Sequence, residues 1–388
     1  MVQRIGIDVC RIGKQRTGIE NFALSVVKAL SALTRDHADW EFHLFATDDG
    51  TAVIRGALQS AGTDRLRIHN VTDDGGRGGL KEQVYLPHAT RNLPTFDLFY
   101  SPGYPLSPLV RSQMTIQQVH DMVPWRYGDT MTAGARLYWR VLLPVAIRRS
   151  RIVATDSQFT MDELRSFRFG KYKSMRIVHV SIDDRYLDFC AAGSSSILAE
   201  LQVSKPYLLI LGSLEPRKNL LFLLDVFERY HQMNHTVNLQ LVIAGGKGWK
   251  NKQFFDKISA HPFQSQVRLI GWVNEDHLQH LVAGAEALLY PSLYEGFGLP
   301  PLEAIAVGTP VVASNAAAIP EIMGEHALYA DPRNVDEWVQ RLVYVVGNSE
   351  YREWIKLRGR TWAARYSQAA LTDVLDHLFA EVLPQKSR

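Results

Sequence analysis

The stretch YLLILGSLEPRKNLLFLLDVFERYH, Tyr207–His231, shows the pattern that the rest of the chain repeats. Tyr207–Leu211 is an uninterrupted apolar run, which is typical of a parallel strand covered on both faces. A short polar loop follows, and apolar residues then recur at helical spacing over Leu220–His231. A buried strand that leads through a loop into an amphipathic helix is the repeating unit of an α/β fold with a parallel sheet.

The same alternation of strands and helices runs through both halves of the chain. Strands are predicted at Arg4–Val9, Glu41–Ala46, Arg65–Asn70, Asp97–Tyr100, Thr115–Val119, Arg151–Thr155 and Arg176–Val180, and again at Tyr207–Leu211, Gln240–Ala244, Val267–Ile270, Ala287–Tyr290 and Val311–Ala313. Because 388 residues are too many for one ordinary core, we predict two Rossmann-like doubly wound domains facing each other across a cleft. Ligands are then expected at the carboxyl ends of the strands.

The domain boundaries are predicted from composition. The first domain is expected to span residues 1–190, and the small, polar stretch AAGSSS opens a linker at 191–205. The second domain is expected at 206–365, and residues 366–388 form a C-terminal helical segment expected to pack back on the first domain.

Bulk composition excludes several classes of function. The formal net charge is only +3 with both signs interspersed, so nothing indicates a nucleic-acid partner. The two cysteines, Cys10 and Cys190, match no metal or redox spacing, which favours a reducing compartment. Since no apolar run is long enough for a signal peptide or a membrane span, a cytoplasmic protein is predicted.

A candidate anion site lies in the loop LGSLEPRKNL, Leu211–Leu220. Arg217 and Lys218 come after a strand end that carries Gly212, and a helix is expected to begin near Asn219. Backbone N–H groups and the helix dipole favour anions at such a position, and a guanidinium with an ammonium suits a diphosphate. The alternative is a solvated basic turn.

Two carboxylates eight residues apart mark the stretch YEGFGLPPLEAIAVGTP, Tyr294–Pro310. Glu295 follows a strand end, and Glu303 is predicted in the first helical turn because Pro301 suits that turn. The glycine loop between them is expected to present backbone N–H groups to a ligand, through Gly296, Phe297, Gly298 and Leu299. Both carboxylates are therefore expected to face one elongated ligand, the alternative being a helix-end Glu303 and a surface Glu295.

The first half of the chain carries weaker candidates. His120 and Asp121 follow the predicted strand Thr115–Val119, where they are expected to face the cleft. The alternative for His120 is a buried histidine satisfied by a backbone carbonyl. Gly18 opens the first helix and is a candidate for phosphate contact, although a plain helix cap explains it equally.

Two motifs are missing from the sequence. No D-x-D occurs, so no obvious carboxylate pair would hold a metal–nucleotide complex. Pro301 stands where a G-x-G-x-x-G fingerprint would need its last glycine. We therefore predict a site without a metal or a resident cofactor, in which Arg217 and Lys218 supply the counter-charge.

Together these residues resemble the family-four retaining glycosyltransferases of the GT-B fold. The motifs that carry the resemblance are EPRKN, EGFGLPPLEA, AVGTPVVAS and HDMVP, with KEQVYLP and YSPGYPLSP upstream. The upstream motifs are similar to enzymes that build bacterial surface polysaccharides such as O-antigen, often mannosyl- or rhamnosyltransferases. The sequence departs from the family at Arg16–Gly18, where a Gly-Gly pair is common, and at Gln368, where many relatives carry Trp.

The resemblance implies a division of labour. The first domain binds a glycan or lipid-linked acceptor, and the second binds a nucleotide-sugar donor such as GDP-mannose. Arg217 and Lys218 grip the donor diphosphate, and Glu303 holds the ribose. Glu295, with the amides of the Gly298 turn, addresses sugar and phosphate, while His120 contacts the transferred sugar.

Other interpretations stay open at this point. A GT-B-like sugar-nucleotide epimerase and a non-catalytic sugar-nucleotide-binding protein fit the same fold. The segment RLYWRVLLPVAIRRSR, Arg136–Arg151, mixes arginine with apolar and aromatic residues. It fits a helix at the membrane surface or an ordinary amphipathic core helix, and periodicity does not choose between them.

Overall fold

The computed structural model describes residues 2–13, 18–58, 65–71, 79–169, 174–233, 239–246 and 252–383. The chain divides into two compact units. The first comprises Met1–Ser181 with Tyr366–Arg388, and the second comprises Ile182–Arg365. Each unit is built on its own parallel sheet, which confirms the predicted α/β class.

Seven strands of the described residues form the sheet of the first unit, in the order β3-β2-β1-β4-β5-β6-β7. Their bounds are β1 Gln3–Asp8, β2 Trp40–Ala46, β3 Leu66–Asn70, β4 Phe96–Ser101, β5 Ser112–Val119, β6 Ile152–Thr155 and β7 Ser174–Ile177. The intervening helices are α1 Gly18–Asp36, α2 Asp48–Ala57, α3 Gly79–Thr90, α4 Val123–Arg126, α5 Ala133–Arg149 and α6 Gln158–Ser166. Reversal of strand order between β1 and β4 creates the kind of edge where α/β proteins bind ligands.

The second unit repeats this plan with six strands, in the order β10-β9-β8-β11-β12-β13 within the described ranges. Their bounds are β8 Tyr207–Leu211, β9 Gln240–Ala244, β10 Val267–Gly271, β11 Ala287–Tyr290, β12 Val311–Ser314 and β13 Leu328–Ala330. Its helices are α7 Asp184–Leu187, α8 Ser194–Glu200, α9 Leu220–Met233, α10 Lys252–Ser259, α11 Glu275–Gly284, α12 Leu299–Ala306, α13 Ile319–Met323, α14 Val335–Gly347 and α15 Ser349–Ala363. Every residue of β8, β11 and β12 is buried, as expected for strands covered on both faces.

The C-terminal helix α16, Gln368–Val382, belongs to the first unit. It packs on α1, where the side-chain amide of Gln368 donates to the carbonyl of Ser25 at 2.8 Å. Leu375 and Phe379 are fully buried, and the Phe379 ring lies 5.8 Å from that of Tyr100. The chain therefore leaves the first unit, builds the second, and returns to complete the core of the first.

Several observed boundaries differ from the predicted ones. The first unit ends at Ser181, and the segment proposed as a linker contains α8, whose buried Leu198 anchors it in the second unit. The last strand of the first sheet, predicted at Arg176–Val180, is β7 at Ser174–Ile177. As an edge strand it pairs only with β6, which ends at Thr155. The strand β13 is not among the predicted strands, because its three residues are too few to give a periodic signal.

Candidate functional site

The two motifs of the second unit meet because their strands are neighbours in the sheet. β8 and β11 pair in parallel, so the loops that follow them leave the same edge. Pro216–Lys218 forms a single 3-10 turn, Asn219 adopts a left-handed conformation with φ 59°, and α9 begins at Leu220. The backbone N–H of Leu293 donates to the carbonyl of Arg217 at 2.8 Å, which ties the two loops together.

Arg217, Lys218 and Glu295 form a compact cluster, called here the cation–carboxylate cluster. Arg217 Nη1 donates to Glu295 Oε2 at 2.7 Å, and Lys218 Nζ donates to Glu295 Oε1 at 2.6 Å. Lys218 Nζ also lies 3.2 Å from the hydroxyl of Tyr290. Each oxygen of Glu295 thus accepts from one cation, and the structure brings the three residues together.

Burial and the neighbouring charges shift the pKa values within the cluster. Burial alone would raise the pKa of Glu295, but Arg217 and Lys218 overcome it and lower that pKa to about 2. Burial, reinforced by the charge of Arg217, lowers the pKa of Lys218 while Glu295 opposes the shift. Removal of one partner would leave a buried charge uncompensated, a change that typically costs about 3–5 kcal/mol.

A small pocket lies beside the cluster at the carboxyl ends of β8 and β11. Its polar lining comes from Gly212, Ser213, Lys218, Tyr290 and Ser292. Gly212 has φ +138°, a conformation that residues with a side chain rarely adopt. The ammonium of Lys218 therefore borders a concave, partly polar space at the ends of the two strands.

The glycine loop after Glu295 ends in a left-handed Gly298, with φ 102°, which is the N-cap of α12. Helix α12 begins at Leu299, so both prolines lie in its first turn and Glu303 lies in the second. Glu303 is the fifth residue of α12, so it lies one to two residues beyond the predicted first turn. Pro300 and Pro301 have no backbone N–H, so Gly298 and Leu299 provide the backbone donors at the N-terminus of α12.

Glu303 lies in different surroundings from Glu295. Burial first, and then the charges of Asp183 and Glu275, raise the pKa of Glu303 to about 8 against the opposing effect of Arg185. The guanidinium of Arg185 contacts Asp183 at 3.0 Å, Glu275 at 3.4 Å and Asp276 at 3.3 Å. A raised pKa favours the protonated form of the Glu303 carboxyl, which can donate as well as accept a hydrogen bond.

His120 in the first unit has acceptors on both sides of its ring. Nδ1 lies 2.7 Å from Asp156 Oδ2, and Nε2 lies 2.8 Å from the carbonyl of Pro102. Since both partners are acceptors, the ring can donate to both only as an imidazolium. Burial opposes this charge, but Asp156 outweighs it and the pKa of His120 is raised. The backbone contact to Pro102 is the feature expected of a buried structural histidine, so geometry alone does not choose between the two interpretations.

The two remaining candidates of the first unit, Asp121 and Gly18, lie at the starts of helices. Asp121 Oδ1 accepts the backbone N–H of Val123 at 2.8 Å, at the entry to α4. Gly18 is the first residue of α1, and a Cβ at this position would meet open space. Arg16 and Thr17, which precede it, lie outside the described residues.

Three groups with strong contacts were missed by the sequence analysis. Asp156 holds His120, Arg185 faces Glu303, and Tyr290 lies under Lys218. Asp156 directly follows β6, so its place after a strand end could have indicated it. Arg185 and Tyr290 gave no local signal, because their neighbours come from distant parts of the chain.

Comparison with known proteins identifies one domain of the chain. Residues 199–362 match the family described as Glycosyl transferases group 1. They form a group 1 glycosyl transferase domain. The predicted resemblance is thereby confirmed, and this transferase domain contains the cation–carboxylate cluster, the Gly298 turn and Glu303.

Relatives and solved structures agree with this assignment. The chain is 28% identical over 273 residues to O-antigen chain mannosyltransferase B of Escherichia coli, covering 70% of each chain. It is 25% identical to the O-antigen chain mannosyltransferase RfbU of Salmonella typhimurium, covering 71% of each. Sucrose-phosphate synthase from Thermosynechococcus elongatus superposes with a TM-score of 0.75 at 17% identity, covering 98% of this chain and 99% of that one. Anabaena HepE, in complex with UDP and glucose, gives 0.75 at 15% identity, covering 98% and 100%.

The solved structures show the GT-B fold, and the matched domain together with the two mannosyltransferase relatives supports a glycosyltransferase. Among the described residues no helix is both long and apolar enough to cross a membrane. Within the same ranges no group of three or more His, Cys, Asp or Glu side chains is placed to hold a metal ion.

Proposed function

We propose that the protein is a retaining, metal-independent hexosyltransferase that moves mannose from a nucleotide-diphosphate donor, such as GDP-mannose, to a growing surface polysaccharide or lipid-linked glycan. The observation that carries the proposal is the cation–carboxylate cluster beside the start of α12. The choice of mannose and of an O-antigen type of product rests on the names of the two relatives above.

The cluster suits the chemistry of a leaving diphosphate. When the bond between the anomeric carbon and the phosphate oxygen breaks, negative charge develops on that oxygen. Arg217, Lys218 and the amides of Gly298 and Leu299 supply fixed donors for this charge. Glu295 fixes both cations in place through one hydrogen bond each, so little reorganisation is needed as the charge develops.

Retention of the anomeric configuration requires a proposal about the face from which the acceptor attacks. No carboxylate in the cluster is left to act as a nucleophile, since both oxygens of Glu295 hold cations. We propose that the acceptor oxygen forms its bond to the anomeric carbon from the face that the phosphate leaves. The acceptor proton then passes to a phosphate oxygen, which balances the exchange.

Further roles follow for the other candidates. Glu303 binds the donor ribose, and Asn219 fixes the turn that presents Lys218 through its own hydrogen bond to the carbonyl of Pro332 at 2.8 Å. His120 contacts the transferred sugar, with Asp156 holding it as an imidazolium. Each role is a proposal that rests on the residue's position and on the family.

A peripheral membrane contact is proposed for helix α5. Leu137 and Val141 are 64% and 52% exposed, and they share a face with the exposed Arg140 and Arg148. The helix contains no acidic residue. An exposed apolar stripe flanked by arginines suits the surface of an anionic bilayer, where a lipid-linked acceptor would be found.

The central experiment measures sugar transfer and donor hydrolysis with GDP-mannose, UDP-glucose and related donors, in EDTA and with added magnesium or manganese. Arg217→Ala and Lys218→Ala are expected to lower kcat/KM about a hundredfold, because a lost charged hydrogen bond to phosphate costs about 2–3 kcal/mol. Arg229→Ala is the matched control, since that arginine is exposed on α9 and pairs only weakly with Asp336 at 3.5 Å.

Each contrary outcome has a distinct meaning. Unchanged kcat/KM in both variants would remove the diphosphate role, and loss of activity in EDTA with recovery in magnesium would overturn metal independence. Epimer formation would favour the epimerase, and donor binding without any turnover would favour a non-catalytic protein.

A further inference from the structure

A row of buried polar groups crosses four adjacent strands at the carboxyl edge of the first sheet. It begins with Tyr100 on β4, passes through Gln118 on β5 and Asp156 just after β6, and ends on the backbone of Val178 just after β7. Tyr100, Gln118 and Asp156 are at most 2% exposed. Polar groups buried this deeply are ordinarily hydrogen-bonded, so their contacts are expected to be specific.

Gln118 is held in one orientation by its partners. Its Nε2 donates to Asp156 Oδ1 at 2.7 Å and to the carbonyl of Val178 at 3.1 Å, and its Oε1 accepts from the hydroxyl of Tyr100 at 3.1 Å. Burial, and then the charge of Asp156, raise the pKa of Tyr100 well above its usual value, so this hydroxyl keeps its proton and donates. Since a carbonyl and a carboxylate only accept, the amide satisfies all three partners only with its NH₂ group toward Asp156.

Asp156 connects this glutamine to His120. Its Oδ1 accepts from Gln118, and its Oδ2 lies 2.7 Å from His120 Nδ1. On the other side of the imidazole, Nε2 lies 2.8 Å from the carbonyl of Pro102. The backbone carbonyl of His120 accepts from Thr160 Oγ1 at 3.2 Å. Gln118 therefore fixes the carboxylate from one side, and the carboxylate fixes the imidazole on the other.

The acidic groups Asp156 and Asp121 both act on His120. Burial lowers the pKa of His120, but the charge and hydrogen bond of Asp156 and the weaker effect of Asp121 raise it overall. From α1 the ring of Phe22 packs edge-on against the imidazole at 5.2 Å and adds no charge. A donor to a carboxylate favours its ionised form. The hydrogen bond from Gln118 thus favours an ion pair of Asp156 with an imidazolium over a neutral pair in which the proton has moved to the carboxylate.

We propose that Gln118 is a positioning residue for His120, and that it acts by keeping the Asp156 carboxylate ionised and aimed at the imidazole. The consequence for catalysis rests on the proposed glycosyltransferase function, in which His120 contacts the transferred sugar. An imidazolium held at both nitrogens keeps one orientation and one charge during transfer, so the sugar meets a preorganised group. A ring that alternates between neutral tautomers would lose both properties.

Nitrogen-15 NMR of histidine-labelled protein tests the protonation of His120 without any turnover, and the spectrum of His120→Ala assigns its signals. In the wild type the imidazolium is expected to persist through neutral pH. In Gln118→Met, which lacks the donor, the ring is expected to lose its proton at a pH at least about one unit lower. Gln118→Leu removes the same donor with different packing, so it replaces Gln118→Met if that variant does not fold.

Gln117→Met is the matched control, because Gln117 is the neighbouring glutamine on β5 and is equally buried. Its side chain is hydrogen-bonded to the loop after β4 instead, where it accepts from the backbone N–H of Leu106 at 2.9 Å and donates to the carbonyl of Tyr104 at 3.0 Å. This variant is expected to keep the wild-type titration of His120 even where its overall stability falls.

Kinetics separates this proposal from the function on which it rests. In Gln118→Met, kcat is expected to fall about tenfold at about pH 8 while the donor KM changes less than about threefold, since a contact made mainly in the transition state appears in kcat. The loss is expected to shrink at about pH 6, where the proton returns to the ring.

Three results would overturn the positioning role. They are a neutral His120 in the wild type at pH 7, a titration in the Gln118 variants that matches the wild type or is shifted equally in Gln117→Met, and a shifted titration with unchanged kcat. Absence of sugar transfer by the wild type would instead contradict the proposed function, and the NMR titration would still report whether Gln118 controls His120.

Discussion

Lys218 shows how much of the candidate site depends on single contacts. Its ammonium is buried with only 12% of the side chain exposed, and the neighbouring charge of Arg217 works against it. Glu295 opposes this effect at a distance of 2.6 Å, although the pKa of Lys218 remains lowered. The carboxylate therefore favours the charged form of Lys218 and orients both cations through one hydrogen bond each.

Glu303 gives a pH-dependent prediction at the same scale. Its pKa is raised from 4.5 to about 8 in the folded protein, so between these values the folded state holds a proton that the unfolded state has released. Stability contributed by this group therefore falls as pH rises from about 5 to 8. Glu303→Gln removes the titration and is expected to be more stable than the wild type at pH 8, by up to about 4 kcal/mol, and by about 1 kcal/mol or less at pH 5.

Melting temperatures measured across this pH range check the prediction. Glu353→Gln is the matched control, because its carboxylate on α15 is 64% exposed and a surface carboxylate contributes little. Parallel pH profiles of wild type and Glu303→Gln would show that Glu303 titrates normally and would remove the proposed buried, protonated carboxyl.

At the scale of elements, the start of α12 depends on one residue. Gly298 has φ +102°, and the nearest atoms to a Cβ there are Ile319 Cγ1 and Tyr290 Cε1 at 3.8 Å. Space is therefore sufficient, and the cost of a side chain is backbone strain of about 1–2 kcal/mol. Gly298→Ala is expected to lower stability by this amount and to raise donor KM, because the Gly298 and Leu299 amides shift.

Gly347→Ala is the control for this experiment. Gly347 ends α14 without a left-handed conformation, and a Cβ there would meet open space, so alanine is expected to be neutral or stabilising. Chemical denaturation and donor kinetics are measured for both variants. Equal stabilities would show that the turn at Gly298 adapts to a side chain and does not set the start of the helix.

At the scale of the whole molecule, the exposed face of α5 is expected to direct the protein to anionic membranes. Wild-type protein is expected to sediment with vesicles of phosphatidylglycerol and phosphatidylcholine and to be released by salt, because the arginine contribution is screened. Leu137→Gln with Val141→Gln is expected to reduce the bound fraction several-fold, because the apolar contact is lost.

A matched pair of substitutions controls for general loss of surface hydrophobicity. Val343→Gln with Leu357→Gln changes residues that are 42% and 77% exposed in the second unit, and this variant is expected to bind vesicles like the wild type. Equal binding by all three proteins, or none by the wild type, would rule out α5 as a membrane-contacting helix.

Most of the fold could be predicted from the sequence, since an apolar run followed by a helical period is a local property. The strands Tyr207–Leu211, Gln240–Ala244 and Ala287–Tyr290 have the predicted bounds. Errors occur where local signals are weak or misleading. Ser194–Ser196 has the composition of a linker but forms the first turn of α8, because Leu198 is buried further along the helix.

The sequence by itself determined the α/β alternation, the family motifs and the identity of Arg217, Lys218 and Glu295 as candidates. Tertiary structure alone decided their pairing, since 77 residues separate Lys218 from Glu295 and they meet only because β8 and β11 are adjacent. It also placed Asp156 against His120 across 36 residues, and Asp183 beside Glu303. Periodicity reports on the local chain, whereas partners, burial and pKa depend on strand order in the sheet and on the low-dielectric interior that packing creates.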